Sequence, residues 1–207
     1  MAGQLRLERV RLSLGGQPLL AVDAAVAPGE VLTIMGPSGS GKSSLLAYVA
    51  GFLNPAFVAE GRVFLDGTDV TGLPAEQRRI GLLFQDPMLF PHLSVAGNLL
   101  FGVPRQAADR RARAAAALAQ AGLEGFGTRD PATLSGGQKA RVALMRLLLS
   151  EPAAVLLDEP FSKLDAALKG DVRAYVFARL KERQLPGLLV THDEADASAA
   201  GGPVIRI

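Results

Sequence analysis

The run VLTIM-GPSGSGKSS-LLAYVAGF, residues 31–52, constrains this chain more than any other stretch. Four apolar residues around a single threonine have the texture of a strand buried on both faces, the kind that parallel sheets use. A glycine-rich loop follows, and then apolar residues at helical spacing with Gly51 as a stop. Strand, loop and helix in that order demand an α/β crossover. The loop carries Gly36, Gly41, Lys42 and Ser43 in the pattern G-x-x-x-x-G-K-[ST], whose amides turn inward around phosphate oxygens while the helix aims its positive end at the same anion. Gly36, Pro37, Ser38, Gly39, Ser40, Gly41, Lys42, Ser43 and Ser44 make up the candidate cradle. Lys42 would reach the β- and γ-phosphates and the Ser43 hydroxyl would ligate Mg2+. A merely flexible Gly/Ser loop is the other reading, and the strand and helix on either side speak against it.

The remaining segments extend the α/β pattern. LRLERVRLSL alternates apolar and polar residues, and PLLAVDAAVA follows it after a turn, which predicts a half-exposed antiparallel sheet at the N-terminus. GRVFLDGTDV reads as a strand with an Asp66-Gly67 turn, and IGLLFQD as a further buried strand. Residues 87–133 turn to Pro/Gly punctuation and alanine-rich helix, a helical subdomain inserted into a core formed by 1–86 and 134–207. Strands resume with AVLLDEP, GLLVTHD and PVIRI, separated by helices after SGGQ and from Asp165 to about Gln184. The expected fold is α/β with a mainly parallel sheet, an antiparallel β part and an inserted α-helical part, all in a single domain spanning 1–207.

Four further segments carry chemistry. AVLLDEP ends a buried strand on Asp158 and Glu159, at the edge where open α/β sheets place ligands. Asp158 could hold Mg2+ through water and Glu159 could polarise an attacking water, although an acidic pair in that place also serves as a helix cap. LSGGQ, Leu134–Gln138, precedes a helix with Ser135 as N-cap. Ser135, Gly136, Gly137 and Gln138 are either a second anion cradle or a plain loop-to-helix turn. Gln85 and His192 each close an apparent buried strand, as ligand-edge residues or as satisfied polar ones.

Composition narrows the partners. A net charge of +2 with basic residues dispersed along 207 residues argues against nucleic-acid binding, and the cluster Arg105, Arg110, Arg111 and Arg113 reads first as a solvated helix face, with a phosphate-backbone contact as the lesser reading. There is no cysteine, so thiolate metal sites and disulfides are excluded. The N-terminal segment has no export-signal pattern, and apolar runs fall short of the roughly 20 residues a membrane span requires.

With all of these segments in this order, the chain resembles the nucleotide-binding domain of ABC transporters, and the LSGGQ segment is what separates that family from other phosphate-loop proteins. The resemblance implies that GPSGSGKSS is the Walker A loop and LLDEP the Walker B strand, with Glu159, His192 and Gln85 catalytic and Ser43, Gln85 and Asp158 around the metal. It also implies that Ser162–Asp165 is the D-loop. ATP and Mg2+ are the expected ligands. Two copies would pair head to tail, each ATP lying between the phosphate loop of one and Ser135–Gln138 of the other. Permease subunits, and a solute-binding protein in the same system, would be partners, and the chain would sit in the cytoplasm against the inner face of the membrane. The segment FQDPMLFPHLSVAGNLLFG resembles importer cassettes of small solutes or ions, with Met88, Leu89, Phe90 and Leu93 either walls of a groove for a permease helix or part of the helical subdomain's own core. Two positions depart from the family: Leu14 stands where an adenine-stacking aromatic residue is common, and Lys163 where a small residue is commoner. With so few residues after His192, the extra regulatory domain of some importer cassettes is not expected. The rival readings are an ABC-type ATPase of DNA repair or translation, a phosphate-loop kinase, and a degenerate cassette that binds ATP without cleaving it.

Overall fold

The structure, a computed structural model, describes residues 3–164 and 166–207; Asp165, the last residue of the Ser162–Asp165 turn, lies outside the described residues. The elements divide between two compact units, one of Met1–Leu82, Ala153–Glu159 and Phe177–Ile207, the other of Leu83–Pro152 and Pro160–Val176.

In the first unit, β1 (Leu5–Leu14), β2 (Gln17–Val26), β4 (Phe57–Leu65) and β5 (Thr68–Asp69) form an antiparallel sheet in the order β2-β1-β4-β5. The buried residues of β1 are Leu5, Leu7, Val10 and Leu12, a period of two that slips by one residue in the middle. Arg9 takes a φ of 49°, and the pairing with both neighbours shifts register there. This bulge turns Val10 and Leu12 to the same face as Leu5 and Leu7, so the second half of the strand stays in the core. β4 begins at Phe57, four residues before the stretch that reads as a strand in sequence, because β1 offers it partners along that length.

The second sheet has the order β6-β7-β8-β3-β9, with β3 (Val31–Met35), β6 (Ile80–Leu83), β7 (Ala154–Asp158), β8 (Gly187–Thr191) and β9 (Val204–Arg206). β3 pairs in parallel with β8 and β9, and β7 with β8. All five residues of β3 are buried, Thr33 among four apolar neighbours, as its mainly apolar sequence predicts. β6 differs from its expected full burial: only Leu83 is buried, because a strand at the end of the sheet has a neighbour on one side alone.

Helix α1 (Lys42–Ala50) packs Leu45, Leu46 and Val49 into the core shared by the two sheets and ends at Gly51. Its C-terminal carbonyls are met by Arg78, a guanidinium only 5 % exposed that donates to the carbonyls of Tyr48 (2.8 Å), Val49 (3.0 Å), Leu73 (2.8 Å) and Thr71. A cation at the negative end of a helix is favoured both by the dipole and by the orphaned carbonyls.

The second unit is built on α2 (Val95–Gly102), α3 (Arg110–Gln120) and α4 (Gly136–Leu149), to which the first part of α5 (Ala166–Glu182) belongs. It takes in residues 87–133 and carries no strand between them among the described residues. Asn98, fully buried on α2, ties down the preceding loop: its side chain accepts from Phe90 N–H (2.8 Å) and donates to the carbonyls of Phe90, Leu93 and Ser94.

Candidate nucleotide site

The carboxyl ends of β3, β7 and β8 are level. Met35 pairs with Thr191, and Asp158 with Val190, so the loop leaving β3, the acidic pair closing β7 and the histidine after β8 emerge at one edge of the first unit.

The loop turns because of two glycines. Gly41 is the N-cap of α1 at φ 88°, a left-handed conformation that costs a residue with a Cβ about 1–2 kcal/mol. Gly36 needs to be bare for a different reason: a Cβ there would lie 2.8 Å from the Ile207 carbonyl oxygen and from Ile207 Cγ1, which β9 brings alongside β3. Because Gly41 has no side chain, the first-turn amides of α1 receive no side-chain cap, and that turn holds no acidic residue. An α-helix leaves those donors without intrahelical partners, so they are directed at whatever anion approaches. Lys42, 6 % exposed, lies folded against the same loop, its ammonium donating to Gly36 O (2.9 Å), Pro37 O (2.6 Å) and Ser40 Oγ (3.4 Å). Uncapped amides, a buried ammonium and a first helical turn without an acidic residue form a donor set that fits a phosphate chain.

Beside it, Ser43 donates its hydroxyl to Asp158 Oδ1 at 2.9 Å. Burial raises the Asp158 carboxyl above its ordinary value; the Ser43 hydrogen bond and the Lys42 charge pull against the rise, and Glu159 adds to it. A hydroxyl and a carboxylate in contact, backed by a net desolvation cost, fit a hard divalent cation, which would relieve that cost.

Glu159 follows at φ 44°, its amide still bonded to Val190 O (2.9 Å), and the left-handed turn brings Oε1 to 3.0 Å from His192 Nδ1. A carboxylate oxygen only accepts, so with Glu159 ionised the shared proton sits on Nδ1. His192 is held in place from below. Thr191 Oγ1 donates to Asp196 Oδ2 (2.8 Å), a carboxyl 2 % exposed, and receives the Asp193 amide (3.1 Å); Asp193 then caps α6 (Glu194–Ala200) by accepting from Ala195 N–H. Thr191 and Asp196 escape a motif search, because nothing about Thr-x4-Asp in sequence announces a buried pair.

The other sequence-derived candidates belong to the second unit. Gln85 is exposed, two residues beyond the end of β6. Ser135 caps α4 in a reciprocal box: its Oγ accepts from Gln138 N–H (3.3 Å), and Gln138 Oε1 accepts from Ser135 N–H (2.9 Å). Gln138 therefore spends its carbonyl on the cap, Gly137 is buried, and Ser135 and Gly136 face outward. Lys163 pairs with Asp86 at 3.4 Å, whose carboxyl is held below its usual range first by the Met88 amide and then by Lys163.

Residues 19–162 match the family described as ABC transporter. The chain belongs to the ABC transporter family. As a member it is an ATP-binding cassette whose ATPase activity is coupled to transport, which removes the phosphate-loop kinase from consideration. Among similar relatives, the chain is 46 % identical over 198 residues to the uncharacterized ABC transporter ATP-binding protein YnjD of Escherichia coli, covering 94 % of this chain and 91 % of YnjD. It is 46 % identical over 196 residues to the thiamine import ATP-binding protein ThiQ of Cereibacter sphaeroides, covering 93 % of this chain and 83 % of that one. A third, the Fe(3+) ions import ATP-binding protein FbpC 3 of Rhodococcus jostii, is 43 % identical over 209 residues, with 99 % of this chain but 59 % of the relative aligned. No helix among the described residues is long and apolar enough to cross a membrane.

Proposed function

We propose that this cassette hydrolyses Mg2+-ATP to drive uptake of a small solute or ion, working as a homodimer on the cytoplasmic face of a membrane permease, with a solute-binding protein in the same system. The observation that carries the hydrolytic part is the Glu159–His192 contact at 3.0 Å, beside the Ser43–Asp158 pair at 2.9 Å on the same sheet edge. The import reading is supported by relatives named for thiamine, spermidine/putrescine and Fe(3+) import. It leaves the alternative, an ABC-type ATPase of repair or translation, without support.

In this reading Lys42 exchanges its loop carbonyls for β- and γ-phosphate oxygens, and the α1 amides bind the rest of the chain. Ser43 and Asp158, in contact on the sheet edge, would hold Mg2+, which would neutralise charge developing on the phosphate oxygens. Glu159 takes a proton from the attacking water as its oxygen bonds the γ-phosphorus and the bond to the β-phosphate oxygen breaks. His192, fixed by Thr191 and Asp196, orients Glu159 through Nδ1. Ser135 and Gly136, outward-facing at the start of α4, supply the second cradle to the ATP of the partner copy. The permease helix docks on the apolar surface of the second unit. There Met88 is 59 % and Phe101 68 % exposed, Phe101 packs on Phe90 with ring centroids 4.6 Å apart, and Leu89 and Leu93 are half-buried.

Glu159→Gln tests the reading. ATP binding should persist, turnover should fall by about 10²–10⁴-fold, and ATP-bound dimer should accumulate on size-exclusion chromatography. Wild-type turnover in this variant would remove Glu159 from the role of base.

A further inference from the structure

Three charged side chains gather beside the start of α4 in the second unit. Asp86 accepts from the Met88 amide at 3.2 Å and from Lys163 Nζ at 3.4 Å. Its carboxyl is held down first by that amide, then by Lys163, and also by the charge of Lys139, the residue after the capping Gln138. The turn that carries Lys163 abuts α4, since a Cβ on Gly136 would lie 3.6 Å from Leu164 Cδ2. Within this group two cations face one carboxylate, at the end of a helix where the dipole is positive as well. Like signs collected there oppose one another in the resting chain, and an anion in front of Ser135 and Gly136 would relieve them. The Lys163–Asp86 pair is also poorly suited to holding the fold together. Its side chains are 55 % and 62 % exposed, and an exposed pair contributes little. A flexible four-carbon stem lets such an ammonium trade one carboxylate for a group of higher charge.

We propose that Lys163 leaves Asp86 when two copies close on ATP and gives its charge to the triphosphate held by the partner copy's phosphate loop. This inference rests on the homodimer reading above, in which Ser135 and Gly136 meet the ATP of the partner copy, and it adds a ligand to that cradle. Lys42 of one chain and Lys163 of the other then act on one triphosphate from opposite sides. Asp86 becomes a competitor of ATP, because carboxylate and phosphate oxygens accept from the same ammonium. That competition separates the proposal from a plain splint between two turns. A splint is broken equally by removing either partner, whereas removing a competitor and removing the ligand itself have opposite effects on the closed dimer.

Sedimentation of the Glu159→Gln chain with Mg2+-ATP, over a range of protein concentrations, measures the dimer dissociation constant. Lys163→Ala on this background should weaken the ATP-bound dimer by about tenfold or more, the scale of a lost hydrogen bond to a charged group. Calorimetric ATP affinity of the monomer should stay within about twofold, since the chain's own phosphate loop is untouched. Asp86→Asn releases Lys163 and should leave the dimer as tight as before, or tighter by up to about fivefold. Equal weakening by Lys163→Ala and Asp86→Asn, or no weakening by Lys163→Ala, overturns the inference. Gly136→Asp distinguishes that failure from failure of the homodimer reading. A carboxylate at the start of α4 should abolish the ATP-bound dimer, and a dimer that persists in this variant removes the second cradle itself. A Glu159→Gln chain that stays monomeric with ATP refutes both.

Discussion

Arg78 is the residue on which the geometry of α1, and through it the phosphate loop, leans most heavily. Arg78→Ala would strip donors from four carbonyls, those of Tyr48, Val49, Leu73 and Thr71, in a site where the wild-type side chain is 5 % exposed. Hydrogen bonds to a charged group contribute about 1.5–3 kcal/mol each, but they are not additive, and water entering the space left behind recovers part of the loss. No carboxylate is stranded, which keeps the cost below that of breaking several independent bonds; about 4 kcal/mol is the expected net loss. Gly51 packs against the same guanidinium, a built Cβ lying 2.5 Å from Arg78 Nε, so the pocket is shaped to this side chain and collapses poorly around a smaller one. For a chain of this length, about 2–4 °C per kcal/mol converts the loss to a melting temperature lower by about 10 °C. Differential scanning calorimetry of the nucleotide-free variant measures it. Arg78→Lys, with a compact ammonium in place of the planar fork, should recover less than half of the loss. A melting temperature for Arg78→Ala within about 2 °C of the wild type would refute the view that this cation closes the helix.

The raised Asp158 carboxyl has a pH signature. Because the folded state holds that proton more tightly than the unfolded chain does, this group's contribution to stability falls as pH rises from the ordinary carboxylate range through the raised value. Urea midpoints of the nucleotide-free wild type minus those of Asp158→Asn, from about pH 4 to about pH 7, should therefore decline, and a rising difference would contradict the sign. Asp196→Ala removes the acceptor of Thr191 and should lower turnover by about tenfold while ATP affinity stays near wild type; unaltered turnover would show that His192 needs no such support. For Lys163→Ala, whose pair with Asp86 leaves both side chains more than half exposed, denaturant unfolding should register a change under about 0.5 kcal/mol, and a loss several times larger would mark the pair as structural.

What was legible in sequence was whatever is local and periodic. The mainly apolar β3, the loop glycines and Ser135 as N-cap follow from a few consecutive residues, and so does the ligand-edge position of Asp158, Glu159 and His192, because strand ends in a parallel sheet collect at one edge. The bulge at Arg9 was written in β1 as an alternation out of phase by one residue, but only the pairing with β2 and β4 turns that slip into a bulge. Arg78 was invisible: in RRI it looks like any surface arginine, and its acceptors come from a helix about thirty residues upstream. Asp196 was hidden for the same reason, since an acidic residue in a helix opening on Asp193 and Glu194 reads as solvated until its burial is seen.

Lys42 has three hydrogens to give, and within the resting loop each already points at an oxygen of its own chain. An arriving triphosphate is thus a substitute and not an addition: it must be a better acceptor than two peptide carbonyls and a serine hydroxyl, and only the surplus registers as affinity. A neutral or singly charged guest would offer too little surplus to displace them. The loop screens its visitors by charge before any other feature of the nucleotide is read.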